Sequence, residues 1–147
     1  MKYSNLILLI ISCLLSIGSL QAKVDISNDP LVIVTNSDSQ LNELTHDQLI
    51  GIYMGRYRSS DESTPILPID NEIYIETFYK QIINKTVPQV NSYWARLKFT
   101  GRDYKRPEKL ESSEVVITSL ISSTDRISYI PLSQVTDDVK VIYEITQ

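Results

Sequence analysis

Leu31-Val32-Ile33-Val34-Thr35 is the stretch that decides the fold of this 147-residue chain. The run is continuous and rich in β-branched residues, and the turn-forming residues Asn36-Ser37-Asp38-Ser39 end it. Such a run is typical of a strand that is buried on both faces, because a half-exposed strand alternates apolar with polar side chains. A strand buried on both faces belongs to a sheet that lies between helices, so the stretch indicates an α/β layer fold.

Two helices with clear signals follow this strand. Thr45-His46-Asp47-Gln48 is a capping box, and it predicts a helix that ends near Gly55 and has Leu49, Ile52 and Tyr53 on its buried face. From Glu72, apolar residues recur with helical spacing, which predicts a second helix with the buried stripe Ile75, Phe78, Tyr79, Ile82 and Ile83.

Two further helices lie in the second half of the chain. The third has Pro88 in its first turn and Gly101 just past its end, and its buried residues are Val90, Tyr93, Trp94 and Leu97. Ser112 or Ser113 caps the fourth, whose predicted stripe is Val116, Ile117, Leu120 and Ile121.

Three more strands complete the prediction. Ile66-Leu67-Pro68-Ile69 reads as a short strand, and its proline favours an edge or a strand end. Ile127–Ile130 and Val139–Ile145 read as two others, the last with Val139, Val141, Tyr143 and Ile145 on one face. The order β-α-β-α-α-α-β-β predicts a small mixed sheet flanked by helices.

The first 22 residues are typical of a cleaved export signal. Lys2 supplies the positive charge, Leu6–Leu15 the apolar segment and Ala22 a small residue before the cut. We therefore expect residues 23–147 to form a single periplasmic domain with no membrane span. An alternative is that Ile10-Ile11-Ser12-Cys13 is a lipoprotein processing box, which would make Cys13 the lipidated first residue.

Composition excludes several classes of function. The net charge is −4, and residues 1–22 contain a lysine and no acid, so the expected mature part is more acidic still. An acidic domain is a poor nucleic-acid binder. The only cysteine lies in the signal, and the only histidine, His46, sits in a capping box. We therefore expect no metal, no cofactor and no catalytic residues, so the protein is not predicted to be an enzyme.

The one basic region is Tyr93–Pro107, which holds the single tryptophan and five Lys and Arg residues, Arg96, Lys98, Arg102, Lys105 and Arg106. It reads as a docked helix followed by a basic, exposed loop. The loop is interpreted either as a solvated charge run or as a contact for anions.

Anion sites form where a strand or loop enters a helix N-terminus, because free amide groups and the helix dipole point there. Three places qualify: Thr35-Asn36-Ser37 after the first strand, Asp70-Asn71 before the second helix, and Ser112-Ser113 at the start of the fourth. For each place taken alone, ordinary capping and turn formation is the favoured explanation.

Several segments together resemble the phosphate-binding components of ABC transporters, specifically their short exported relatives. Leu44–Gly55 is similar to a family helix that ends in an "IF-x-G" element, and Ile66–Phe78 is similar to the following strand and helix. Tyr93-Trp94, Phe99-Thr100-Gly101 and Pro107 resemble a "yW…FtG…P" signature, and Ile127–Ile130 resembles an "IGY" strand.

The resemblance implies one lobe of a type 2 periplasmic-binding-protein-like fold and a solute-binding-like function. The ligand would be phosphate or another small anion, bound in connection with transport or sensing. Its expected contacts are Thr35, Asn36, Ser37 and Asp70, with Thr100, Gly101 and Arg102 from the basic loop.

An alternative function is a protein–protein interaction module of the envelope that has lost solute binding. Full-length family members carry an Arg and a Ser-Gly-Thr turn before the second helix, whereas this chain has Ile69-Asp70-Asn71-Glu72 there. The partner would be another envelope protein or a second copy of the chain.

Overall fold

The computed structural model describes residues 29–56, 65–101 and 105–145. The predicted signal at residues 1–22 lies outside them. The elements are β1 (Leu31–Asn36), α1 (His46–Tyr53), β2 (Leu67–Asn71), α2 (Ile75–Phe78) with a π-helical turn (Tyr79–Ile83), α3 (Val87–Lys98), β3 (Glu108–Leu110), α4 (Ser113–Ile121), β4 (Arg126–Pro131), a 3₁₀ turn (Leu132–Gln134) and β5 (Val139–Glu144).

The five strands form one mixed sheet in the order β3-β2-β4-β1-β5. β2 runs parallel to β3 and β4, whereas β1 runs antiparallel to β4 and β5. All six residues of β1 are buried, which confirms the prediction from the apolar run. The predicted α/β architecture with a small mixed sheet is therefore correct.

Helices cover both faces of the sheet. α1, α2 with its π-helical turn, and α3 pack on one face, where the buried cluster includes Ile33, Leu49, Tyr53, Phe78, Tyr79, Trp94, Ile127 and Tyr129. α4 packs on the other face against Val32, Val34, Ile69 and Ile130. The alternation of Val32, Ile33 and Val34 between the two clusters explains why β1 needs apolar residues at every position.

The predicted helix boundaries are largely confirmed. The Thr45 amide donates to Gln48 Oε1 over 2.8 Å, and the Gln48 amide donates to Thr45 Oγ1 over 3.3 Å, which is the reciprocal capping box. Gly55, which follows the cap residue Met54 of α1, has a φ of 67°, a conformation that glycine adopts without steric cost. Pro88 lies in the first turn of α3, and Ser112 caps α4.

The second helix begins later than predicted. It was expected from Glu72, but residues 72–74 form a turn and α2 starts at Ile75. The turn is held by the Asn71 side chain, whose Oδ1 accepts from the Ile73 amide over 3.3 Å. This local bond competes with a helical start.

The strand that contains Pro68 is not an edge strand. β2 lies between β3 and β4, so that alternative was wrong, whereas the strand-end alternative was right. Pro68 is the second residue of β2, and pairing with β3 begins only at Ile69. The proline therefore sits where its missing amide proton removes no bond to β3.

Two apolar patterns at the chain's second half were partly misread. The pairing of β1 with β5 shifts register between Ile33 and Val34, so Ile142 is an inserted residue and is buried. The expected single apolar face of β5 is therefore wrong, since a bulge changes the side on which residues point.

Ile121 was expected to be buried but is 48% exposed, because α4 ends there.

Candidate functional site

A cleft of about 480 Å³ lies at the end of the sheet where β2 and β4 finish. Its walls come from the turn after β2, the first two turns of α4 and the segment after β4; the lining residues are Ile73, Tyr74, Ser112, Ser113, Glu114, Ile117, Thr118, Gln134 and Thr136. In α/β folds, ligands bind outside the carboxyl ends of parallel strands. The position of the cleft follows that rule.

The N-terminus of α4 forms one wall of the cleft. Ser112 is the cap residue in extended conformation, and its Oγ accepts from the Val115 amide over 3.3 Å. The first two helical amides, those of Ser113 and Glu114, have no acceptor within the helix. Their protons and the helix dipole make this wall electropositive, although the Glu114 carboxylate in the first turn opposes the effect.

Asn71 orients the hydroxyl group of Ser113. The Asn71 side chain is fully buried, and its Nδ2 donates to Ser113 Oγ over 2.9 Å and to the Tyr129 carbonyl over 3.3 Å. Because Ser113 Oγ already accepts a proton from Asn71, its own proton is directed elsewhere. Among the described residues no protein atom accepts that proton, so the hydroxyl is available to donate to a ligand in the cleft.

A buried carboxyl group lies directly before Asn71 in β2. Asp70 is 0% exposed, and its two oxygens accept from the hydroxyls of Tyr79 and Tyr129, each over 3.1 Å. Burial raises the pKa of Asp70 to about 6, although the two phenol hydrogen bonds and the charges of Arg106 and Lys109 lower it. The same burial raises the pKa of both tyrosines.

Aromatic packing holds this carboxyl group in place. Phe78 stacks on Tyr129 with ring centroids 3.9 Å apart, and Tyr53 lies 4.5 Å from Phe78. The Tyr53 hydroxyl donates to the Ile69 carbonyl over 3.2 Å. Rigid rings on three elements thus fix the end of β2, and with it the position of Asn71 in the wall of the cleft.

The predicted site residues of β1 lie elsewhere. β1 runs antiparallel to β4, so Thr35, Asn36 and Ser37 are at the end of the sheet opposite the cleft. Thr35 Oγ1 donates to the Arg126 carbonyl over 2.8 Å, and Asn36 Nδ2 donates to two carbonyls at the C-terminus of α4, each over 3.0 Å. These side chains are used within the fold, and Ser37 is exposed.

The predicted residues of the basic loop lie after α3. Thr100 is exposed and its Oγ1 donates to the Leu97 carbonyl over 2.7 Å, and Gly101 has a φ of 70° in the same turn. Arg102 lies outside the described residues. The assignment of these loop residues, with Asp70 and the end of β1, to one ligand site stays a prediction.

The structure instead unites two places that the sequence presented as separate. Asn71, after β2, and Ser113, at the start of α4, are in direct contact. Recognising β3 in the sequence would have predicted this contact. Because β3 pairs in parallel with β2, the start of α4, which follows β3, lies at the same end of the sheet as the end of β2. β3 has only three residues, two of them charged, and carries no apolar pattern.

Among the residues that the structure describes, no group of three His, Cys, Asp or Glu side chains is placed to hold a metal ion. Within the same ranges, no helix is both long and apolar enough to span a bilayer.

Glu114 is the one charged residue that lines the cleft in the described part of the chain. The nearby Lys109 lies 3.8 Å from the Glu72 carboxylate.

Comparison with known proteins identifies relatives by fold. No protein-family model matches the chain, and no curated protein matches it. Its fold is shared with solved phosphate ABC transporter proteins, and each of the three described here covers 78% of this chain. They are an ABC-type phosphate transport receptor from Vibrio cholerae (20% identity, TM-score 0.51), a putative phosphate ABC transporter substrate-binding protein with bound phosphate from Clostridium perfringens (18%, 0.53) and PstS from Borrelia burgdorferi (15%, 0.58).

The match covers less than half of each of these proteins. The chain spans 45%, 44% and 47% of their respective lengths, which fits one lobe of a two-lobed protein. The predicted resemblance to this group and the predicted fold class are therefore confirmed. At these identities the similarity concerns the fold alone.

Proposed function

We propose that the protein is a periplasmic solute-binding-like protein that holds a small oxyanion, such as phosphate, in the cleft, in connection with transport or sensing. The observation that carries this proposal is the hydrogen bond from Asn71 to Ser113 Oγ. It leaves the serine proton as a donor next to the free amides of α4. An oxyanion offers several acceptors to such a group of donors.

The composition of the cleft determines the strength of binding. The described lining contains no Lys or Arg, and the Glu114 carboxylate repels negative charge. Binding therefore depends on neutral donors and the helix dipole, each of which contributes modestly. We expect a roughly millimolar dissociation constant and a preference for singly charged anions.

Support also comes from the kind of proteins that share the fold. Solved structures with this architecture include a protein with bound phosphate. The cleft of the present chain is lined by neutral polar groups and one carboxylate, so phosphate, sulfate and short carboxylates are all candidates. Titration with each of them distinguishes the anion.

The test is a thermal-shift and calorimetric titration of the protein with these anions at low and high salt. A ligand that binds only the folded state raises its stability by RT ln(1 + [L]/Kd), so tens of millimolar ligand should raise the melting temperature. We expect Ser113→Ala to lose the shift. The matched control is Ser92→Ala, which removes an exposed hydroxyl from α3 on the other face of the sheet. No shift with any anion, or an undiminished shift in Ser113→Ala, contradicts the proposal.

A second candidate function is docking of another envelope protein or of a second copy of the chain. Ile73 favours it, because this residue lines the cleft and is 61% exposed. Ile73→Ser should then abolish complex formation in analytical ultracentrifugation. Ile121, at the far end of α4 and 48% exposed, is the matched control.

A further inference from the structure

The outer face of α3 carries an exposed aromatic ring among cations. Phe99, directly after the helix, is 90% exposed. Arg96 and Lys98 are exposed beside it, and Arg106 reaches this face because its Nη2 donates to Asn91 Oδ1 over 2.7 Å. Asn91 and Lys98 are seven residues apart and therefore lie on one side of the helix. We call this set, Asn91, Arg96, Lys98, Phe99 and Arg106, the Phe99 surface.

Charge is segregated in this part of the chain. Residues 77–101 contain four cations, Lys80, Lys85, Arg96 and Lys98, and no Asp or Glu, although the chain has 18 acids. The ion pairs found among the described residues, Lys109 with Glu72 and Arg126 with Glu108, do not involve the Phe99 surface. Residues 77–101 are therefore basic, although the chain as a whole is acidic.

We infer that the Phe99 surface docks on an anionic phospholipid membrane. Cations next to an exposed aromatic ring are the composition of an interfacial membrane contact, in which the ring enters the headgroup region and the cations attract lipid phosphates. Each Lys or Arg near such a surface strengthens binding by about fivefold. The negative net charge of the whole chain does not prevent this contact, since residues 77–101 carry no acid and the nearest acids in the sequence are Glu76 and Asp103.

The shape of the surface favours lipid over an acidic protein. Phe99 projects from the end of a helix, and the cleft found in the described residues lies beside α4, on the other face of the sheet. A protein partner needs a pocket that is complementary to a single projecting ring, whereas a bilayer adapts to it. Docking through α3 also leaves the cleft beside α4 open to solvent.

The test is co-sedimentation with vesicles of phosphatidylcholine alone and of phosphatidylcholine mixed with phosphatidylglycerol. The protein is recovered after export, and its N-terminus is determined by mass spectrometry so that every variant is compared in the same form. We expect binding only to the mixed vesicles and a loss of binding at high salt. Lys98→Gln should weaken it about fivefold, and Phe99→Ser should weaken it further.

Two matched controls make the test specific to this surface. Lys109→Gln removes the same charge from β3, and Ile121→Ser removes an exposed apolar side chain from the end of α4. Both should bind as the unmodified protein does. All four positions are exposed or partly exposed, and melting temperatures verify that each variant is folded.

Three outcomes overturn the inference. The first is no binding to the mixed vesicles at low salt. The second is an equal loss in Lys98→Gln and Lys109→Gln, which indicates a general charge effect. The third is binding to polyglutamate without binding to the mixed vesicles, which assigns the surface to an acidic protein partner instead.

Discussion

Asn71 and Ser113 are joined by a hydrogen bond of 2.9 Å between the end of β2 and the start of α4. The same asparagine also bonds the Tyr129 carbonyl in β4 and the Ile73 amide in the next turn. One buried side chain thus ties together a strand, a neighbouring strand, a turn and a helix. The geometry of the cleft depends on it.

We expect Asn71→Ala to lower the free energy of unfolding by about 3 kcal/mol, since it removes three hydrogen bonds worth roughly 1 kcal/mol each and leaves buried partners unpaired. Ser113→Ala should lower it by about 1 kcal/mol, because only one of these bonds is lost. Urea denaturation measures both. Asn91→Ala, at an exposed position of α3, is the control, and an equal effect of Asn71→Ala and Asn91→Ala contradicts the assignment.

Asp70 makes the stability of the fold depend on pH. Burial raises the pKa of its carboxyl group from 3.8 to about 6, so between these values the folded chain holds a proton that the unfolded chain has lost. The stabilisation is complete below the lower pKa and is lost as the pH rises through the higher one. The contribution of this group to the free energy of unfolding therefore falls by about 3 kcal/mol over that interval.

Asp70→Asn removes this titration. Urea denaturation at a series of pH values should show the variant gaining stability relative to the unmodified protein as the pH rises from 3.8 to about 6. Comparison of the two proteins cancels the titration of other groups. A difference in unfolding free energy that stays constant over this range shows that Asp70 keeps an ordinary pKa in the folded state.

The sequence predicted the layer architecture because its strongest signals are local. The run Leu31–Thr35 needs no partner to indicate a doubly buried strand, and the capping box at Thr45 marks a helix start by itself. The predicted buried stripe from Ile75 to Ile83 is also largely correct, although the helix starts later than predicted and continues as a π-helical turn. Four of its residues, Ile75, Phe78, Tyr79 and Ile82, are buried, and Ile83 is partly buried.

The cleft could not be predicted in the same way because it depends on non-local pairing. Asn71 and Ser113 meet only because β2 is parallel to β3, and Glu108-Lys109-Leu110 has no strand pattern. The bulge at Ile142 likewise follows from the register with β1 rather than from the sequence of β5. Such features are set by the tertiary structure, which overrides local preference.

Trp94 should tolerate a smaller ring. It is 7% exposed, and its Nε1 has no hydrogen-bond partner among the described residues. Trp94→Phe loses apolar contacts but also removes an unpaired buried donor, and these effects oppose each other. We expect a change within about 1 kcal/mol for Trp94→Phe and a loss of about 3–5 kcal/mol for Trp94→Ala. Urea denaturation tests both; a loss in Trp94→Phe as large as in Trp94→Ala contradicts the unpaired donor.

Thr45 should contribute to stability through its cap alone. Its side chain is exposed, and its Oγ1 accepts from the Gln48 amide. We expect Thr45→Ala to lower the free energy of unfolding by about 1 kcal/mol. Thr100→Ala removes an exposed threonine that caps no helix N-terminus and should change stability by less than about 0.5 kcal/mol. Thermal and urea denaturation of the pair provide the comparison, and a similar change in both variants contradicts the role of the cap.

The position of β1 also determines when the chain can fold. β1 lies near residue 31, yet its two neighbours in the sheet are β4 and β5, which lie near residues 126–144. Synthesis proceeds from the N-terminus, so β1, an interior strand, has neither of its partners until residues 126–144 have been made. Long sequence separation of this kind slows folding and keeps the nascent chain open. The strand order therefore allows the complete sheet to form only after residues 126–144 have left the ribosome.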